Sequence, residues 1–315
     1  MEKKEKKLPG EEKNMENYKI LEHRFPSAGG RQQVYGVAYV PDRPRGMVQI
    51  AHGMAEHMGR YREFMDFLAK NGYIAFGCDH MGHGKTARTK EELGYFAPKK
   101  GFDLLVTDLH LLAIYMQGKY PGMPAFFLGH SMGSFALRLY LTRYGKELQG
   151  AILSGTGGKQ AGAGLMGALC RKGGGSPNRL VDRLAFGNFN RGIENPRTPF
   201  DWLSRDEERV ADYITDPLCG FTFTTKGFGD LFSAIARANR WETFRQTPDL
   251  PLLLISGDKD PVGAYGKGVR QVAENYRRAG LHHVECKLYP GARHEVLNET
   301  NREQVYQDVL RFLPA

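Results

Sequence analysis

Cysteine is scarce in this 315-residue chain: Cys78, Cys170, Cys219 and Cys286 are its only four, and no two are closely spaced. That excludes a disulfide framework and a thiolate metal loop, so the four read as reduced thiols. No apolar run approaches the ~20 residues of a membrane span. The opening Met1-Glu2-Lys3-Lys4-Glu5-Lys6-Lys7 is charged where a secretory signal needs an apolar segment, so a cytoplasmic location is expected. Internal repeats are missing. So are Arg/Lys clusters interleaved with aromatics, and no nucleic-acid partner is expected despite a net charge of +9. A charge of that size allows at most a transient contact with an anionic membrane surface. Hydrophobic content of 41% and charged content of 25% are those of a soluble globular chain.

Glycine, by contrast, is plentiful, at 39 residues. Its most informative use is in Phe126-Phe127-Leu128-Gly129-His130-Ser131-Met132-Gly133-Ser134. An apolar run ends there in Gly-x-Ser-x-Gly, and a helical pattern through Phe135, Leu137, Leu139 and Leu141 follows. Strand, tight turn and helix in that order would raise the Ser131 hydroxyl above a sheet edge. A serine on so sharp a turn sits in strained backbone, which explains neighbours without side chains.

The flanking pattern supplies the sheet. Tyr18 to Phe25 and Gln32 to Val40 read as an antiparallel hairpin. Further strands are expected at Met47 to Ala51, Tyr73 to Gly77, Phe126 onward, Leu148 to Leu153, Pro251 to Gly257 and Val284 to Tyr289. Helical patterns alternate with most of them. This predicts an α/β fold, with a mostly parallel eight-stranded sheet covered by helices on both faces. Active residues in such sheets gather at the strand C-terminal ends.

The alternation breaks after Ser154. Residues 155–177 are glycine-rich, and residues 180–245 carry many aromatics without strand alternation. We expect a disordered tail over 1–16 and a core in two parts, 17–155 and 248–315. A helical lid over 156–247 would interrupt that core. The lid's apolar face should line a pocket, with Phe186, Trp202, Leu203 and Phe221, together with Gly53, as substrate contacts.

A serine hydroxyl needs a base, and the base needs an orienting carboxylate. In chain order this scaffold should give serine, acid, histidine. The penultimate strand runs into Gly257-Asp258-Lys259-Asp260, and the last into Gly291-Ala292-Arg293-His294. Asp258 and Asp260 compete for the acid role; Asp260 lies further into the loop, nearer the expected site. His282 and His283 precede the last strand and would lie at its other end. His52, His57, His80, His83 and His130 are expected to be hydrogen-bonders in loops or core. The backbone N–H groups of Met54 and Met132 are the candidate oxyanion donors. Neither a metal nor an organic cofactor is called for.

With these residues in hand, the chain resembles the α/β-hydrolase fold, and within it the monoacylglycerol lipase and lysophospholipase branch that overlaps the serine aminopeptidase-like hydrolases. His52-Gly53-Met54-Ala55-Glu56-His57-Met58-Gly59-Arg60-Tyr61 is similar to that branch's His-Gly-x-x-Glu-His-x-x-Arg-Tyr signature. Asp79-His80-Met81-Gly82-His83-Gly84-Lys85-Thr86 resembles its Asp-x-x-Gly-His-Gly-x-Ser, with threonine at the last position. Asp260 aligns with the family's triad acid. The resemblance implies a serine hydrolase cleaving carboxylic esters of lipid-like substrates with one acyl chain. The same triad opens amides, so an aminopeptidase or amidase is the alternative, with Glu207-Glu208 the candidate for holding an amine. A non-catalytic binding protein on this fold is a third reading, disfavoured because all three triad types are present.

Overall fold

In the computed structural model, which describes residues 12–314, one nine-stranded sheet organises the chain. Its strands are β1 (Glu12–Asn14), β2 (Tyr18–Pro26), β3 (Gln33–Pro41), β4 (Gly46–Ala51), β5 (Tyr73–Cys78), β6 (Ala125–His130), β7 (Gly150–Ser154), β8 (Leu252–Gly257) and β9 (Val284–Tyr289). The spatial order is β1-β2-β3-β5-β4-β6-β7-β8-β9. From β5 across to β9 every pairing is parallel; the pairings from β1 to β5 are antiparallel. Strands β4 to β8 are buried at every position, as befits parallel strands with both faces covered.

Side chains alternate between the two faces. Phe126 and Leu128 join the core under α1 (Arg62–Lys70) and α10 (Arg302–Phe312). Phe127 joins the larger core under α2 (Gly101–Lys119), α3 (Met132–Tyr144) and α9 (Lys267–Arg278).

The expected eight strands become nine, and the disordered tail expected over 1–16 is not what residues 12–14 do. Strand β2 would otherwise leave an open edge. Glu12, Lys13 and Asn14 pair with Leu21, Ile20 and Lys19 and close part of it. Residues 1–11 of that tail lie outside the described residues.

Between β7 and β8 come α4 (Ala163–Cys170), α5 (Arg179–Phe186), α6 (Glu207–Thr215), α7 (Thr225–Ala238) and α8 (Trp241–Gln246). Three of them start at side-chain caps: Asn178 for α5, Asp206 for α6 and Thr224 for α7. The insertion is not uniformly a lid. Phe228, Leu231, Phe232 and Ile235 of α7, and Phe244 of α8, belong to the same apolar core as α2 and α3. The part that overhangs the strand ends is the stretch from about residue 159 to 220.

Candidate active site

Ser131 stands between β6 and α3 with φ 52° and ψ −116°, a conformation that costs an L-residue about 1–3 kcal/mol. Its surroundings enforce it. The Ser131 N–H donates to the Ser154 carbonyl at 2.9 Å, and the Ser134 hydroxyl donates to the Ser131 carbonyl at 2.6 Å. Gly133 must lack a side chain, because a Cβ there would collide with the carbonyl oxygens of Ala51 and His52.

His294 follows β9 and is 2% exposed. Its Nδ1 lies 3.0 Å from Asp260 Oδ1. Asp260 is itself fully buried and accepts from the Ser256 hydroxyl at 2.9 Å and the Val262 N–H at 2.8 Å. Asp258 points elsewhere and accepts from the Gly291 N–H at 2.8 Å, tying the β8 and β9 loops together. The His294 ring packs 4.8 Å from His130, the residue before the serine, and 5.1 Å from Trp202. Ser131 and His294 line the same cavity, and no hydrogen bond joins the hydroxyl to the ring in this structure. Catalytic hydrogen bonds are often long in unliganded sites and tighten around substrate.

Electrostatics separate His294 from its neighbours. Burial pushes His52 and His130 well down, His80 to about 4 and His83 to about 3, so all four stay neutral. Burial acts downward on His294 too, but the charge and hydrogen bond of Asp260 outweigh it and hold the ring above the ordinary histidine value. His282 is remote and pairs with Asp249 at 2.7 Å.

The loop after β4 lies directly over the serine. A Cβ on Gly53 would sit 2.6 Å from Glu56 Oε1 and 3.2 Å from the Ser131 Cβ, so a side chain there would have to displace the Glu56 carboxylate. Among the described residues, neither the Met54 nor the Met132 N–H donates a hydrogen bond within the protein. A buried network braces this loop from below. Glu56 accepts from the Gly53 N–H at 2.5 Å and the Tyr61 hydroxyl at 2.9 Å. Arg60 lies 3.6 Å from Glu56 and clasps Glu295, next to His294, at 2.5 and 2.8 Å. Burial lifts the Glu56 carboxyl to about 7 against the pull of Arg60. The quoted signature contains Glu56 and Arg60, but nothing in it points to Glu295, 235 positions away.

A cavity of about 990 Å³ opens above these groups, at the upper end of the range for ligand pockets. All five expected contacts, Gly53, Phe186, Trp202, Leu203 and Phe221, line it. Two of them also have a role that the sequence did not suggest. The Trp202 carbonyl accepts from the His294 N–H at 3.3 Å and the Leu203 carbonyl from the Glu295 N–H at 2.7 Å. Met166, Val181, Leu231, Phe232 and Ile235 add an apolar wall; Glu56, Tyr213 and Glu295 add polar surface near the Gly53 loop.

His57, Asp216 and Cys219 bring ligand-type atoms within 4.8 Å of one another. Their hydrogen bonds argue against a cation there. His57 Nδ1 accepts from the Gly59 N–H at 3.1 Å, so Nε2 carries the proton and donates to Asp216 at 2.9 Å. A metal on Nε2 would force a proton onto Nδ1, facing that N–H. Among the described residues, no helix is long and apolar enough to cross a membrane.

Known proteins resemble this chain over most of its length. The family described as serine aminopeptidase, S33, matches residues 42–301. A monoacylglycerol lipase of Mycolicibacterium smegmatis is 31% identical, over 93% of this chain and 96% of its own length. The human monoglyceride lipase is 27% identical, over 82% of each chain. Among solved structures, a thermostable carboxyl esterase from Bacillus coagulans in complex with glycerol superposes with a TM-score of 0.88. It is 34% identical and covers 93% of this chain and 97% of its own.

Proposed function

Because this chain belongs to the serine aminopeptidase S33 family of α/β-hydrolases and is an ester-cleaving serine hydrolase, we propose that it cleaves lipid-like esters bearing a single acyl chain, through an acyl-enzyme on Ser131. The observation that carries this reading is one cavity lined by three things together. They are a serine on a strained turn, a histidine held by a buried aspartate, and a largely apolar wall.

In this mechanism His294 Nε2 takes the Ser131 proton as the hydroxyl oxygen attacks the ester carbonyl. Asp260 fixes the ring tautomer and balances the charge that forms on it. The carbonyl electron pair moves to the oxygen, which the Met54 and Met132 N–H groups receive; each such donor is worth about 3–4 kcal/mol in the transition state. The pair returns, the ester C–O bond breaks, and the alcohol leaves with the proton from His294. Water then repeats the sequence on the acyl-enzyme, releasing the acid and restoring Ser131.

The apolar wall suits an acyl chain, and the Glu56, Tyr213 and Glu295 surface suits a small hydroxylated alcohol such as glycerol. Each methylene transferred into such a wall contributes about 0.8 kcal/mol. A monoester series should therefore gain roughly fourfold in kcat/KM per carbon until the wall is filled. The amide alternative would hold its amine on Glu207-Glu208, but both are exposed on α6 and neither lines the cavity. Ser131→Ala tests the reading. It should abolish hydrolysis of p-nitrophenyl acyl esters with the fold intact, and retained turnover would remove Ser131 as nucleophile.

A further inference from the structure

The loop that carries Met54 is held from above as well as from below, and the upper hold comes from the insertion. The Gly220 N–H donates to the Ala55 carbonyl at 3.0 Å. Ala55 has φ 53°, a left-handed conformation that a residue with a Cβ keeps only when its surroundings impose it. Two residues on, His57 donates to Asp216 at 2.9 Å. The other oxygen of Asp216 accepts from the Leu218 N–H at 2.8 Å, and its carbonyl accepts from the Cys219 N–H at 3.0 Å. One carboxylate thus shapes the turn that delivers Gly220 to Ala55 and also grips His57. His57 in turn caps the next 3-10 turn by accepting from Gly59. Arg60 completes the seam by lying 4.8 Å over the Tyr213 ring of α6.

We propose that Asp216 is a positioning residue for the ester hydrolysis. Through His57 and through the Gly220–Ala55 hydrogen bond, it sets the backbone of residues 53–57, and with it the aim of the Met54 N–H at the developing oxyanion. The segment 216–220 is then part of the oxyanion apparatus, contributed by the insertion. This rests on the assignment of Ser131 as nucleophile and Met54 as donor.

The test compares Asp216→Ala, Asp216→Asn, His57→Ala and the Asp216→Ala/His57→Ala pair, each checked for folding by thermal denaturation. The substrates are p-nitrophenyl acetate and p-nitrophenyl decanoate, with a trifluoromethyl ketone whose serine adduct carries an oxyanion. Asp216→Ala should lower kcat roughly tenfold, a part of the 10²–10³ that follows loss of a whole donor. The factor should be the same on both esters, with KM within about twofold and ketone binding weakened in step. The pair should be no worse than the poorer single variant, because the two side chains act as one unit. Asp216→Asn keeps an acceptor for His57 and should recover part of the loss; it carries the test if the alanine variant does not fold. A loss confined to the KM of the decanoate, or independent losses that multiply in the pair, would overturn the proposal and leave Asp216 as ordinary lid packing. If Ser131→Ala keeps its turnover, or the ketone fails to bind the unaltered protein, the underlying reading falls instead.

Discussion

The overhanging insertion has two limbs, and they are attached in opposite ways. Among the described residues, every hydrogen bond and salt bridge made by residues 159–196 stays within the insertion, for example Asn178 N–H to the Phe223 carbonyl at 3.0 Å. This limb also leaves Leu165, Leu169, Leu180 and Leu184 each more than 60% exposed. Residues 197–220 instead grip the loops that hold the candidate catalytic groups. Arg205 pairs with the fully buried Glu299 at 2.9 Å, and Arg293 donates to the carbonyls of Asp201 and Ser204 at 2.5 and 2.8 Å. Trp202 and Leu203 carry the backbone of His294 and Glu295, Gly220 carries that of Ala55, and Asp216 holds the His57 ring. Polar ties of this kind fix a geometry, while an apolar limb without them can yield to the shape of a ligand. Under the proposed function, the second limb is part of the catalytic frame and the first is the wall that would meet the acyl chain.

Substitutions in each limb test that contrast. Removing the chemistry itself sets the upper mark. Asp260→Asn should lower kcat by about 10³–10⁴ on every ester alike, because the ring loses its tautomer and its counter-charge. The pH profile checks the cause. His294 must be neutral to act as base and its value is held above the ordinary one, so kcat/KM should rise with pH through a midpoint above 6.5. Without the Asp260 charge, that midpoint should fall in the residual activity of the variant.

Next comes the second limb. Glu299→Gln leaves Arg205 without its buried partner, a change worth about 3–5 kcal/mol. The midpoint of thermal unfolding should drop by roughly 6–10 °C, with kcat falling for short and long esters together. The first limb should respond only to chain length. Phe186→Ala should raise KM several-fold for decanoyl esters and leave acetyl esters unchanged. Leu169→Ser, at an exposed site outside the cavity lining, should move stability by no more than about 0.5 kcal/mol. A chain-length-independent loss of kcat in Phe186→Ala would erase the distinction between the limbs.

The sequence made the frame legible wherever function depends on local pattern. Ser131 was readable because strand, glycines and helix are contiguous. Asp260 and His294 were readable because each lies one loop beyond a strand of recognisable alternation. Between Asp258 and Asp260 the pattern favoured Asp260 only by its place further into the loop, since both stand in the same turn and differ in which way the side chain leaves it. Contacts between distant segments stayed hidden for a different reason. The pairs Arg60–Glu295 and His57–Asp216 span 235 and 159 positions and leave no periodicity behind. The aromatic insertion could be read as a cover for the site, but not as two limbs. Its division follows from which backbone groups it hands to the core, and side-chain hydropathy carries no record of that. The short β1 was missed because polar residues can close a sheet edge through backbone alone.

The most direct measurement is peptide mapping of the protein after reaction with a fluorophosphonate, which captures an activated serine as a stable adduct. A single modified peptide is expected, with the label on Ser131, and loss of labelling in Asp260→Asn in proportion to its loss of kcat. A label on any other residue, or an active protein that takes up none, would remove Ser131 as the nucleophile.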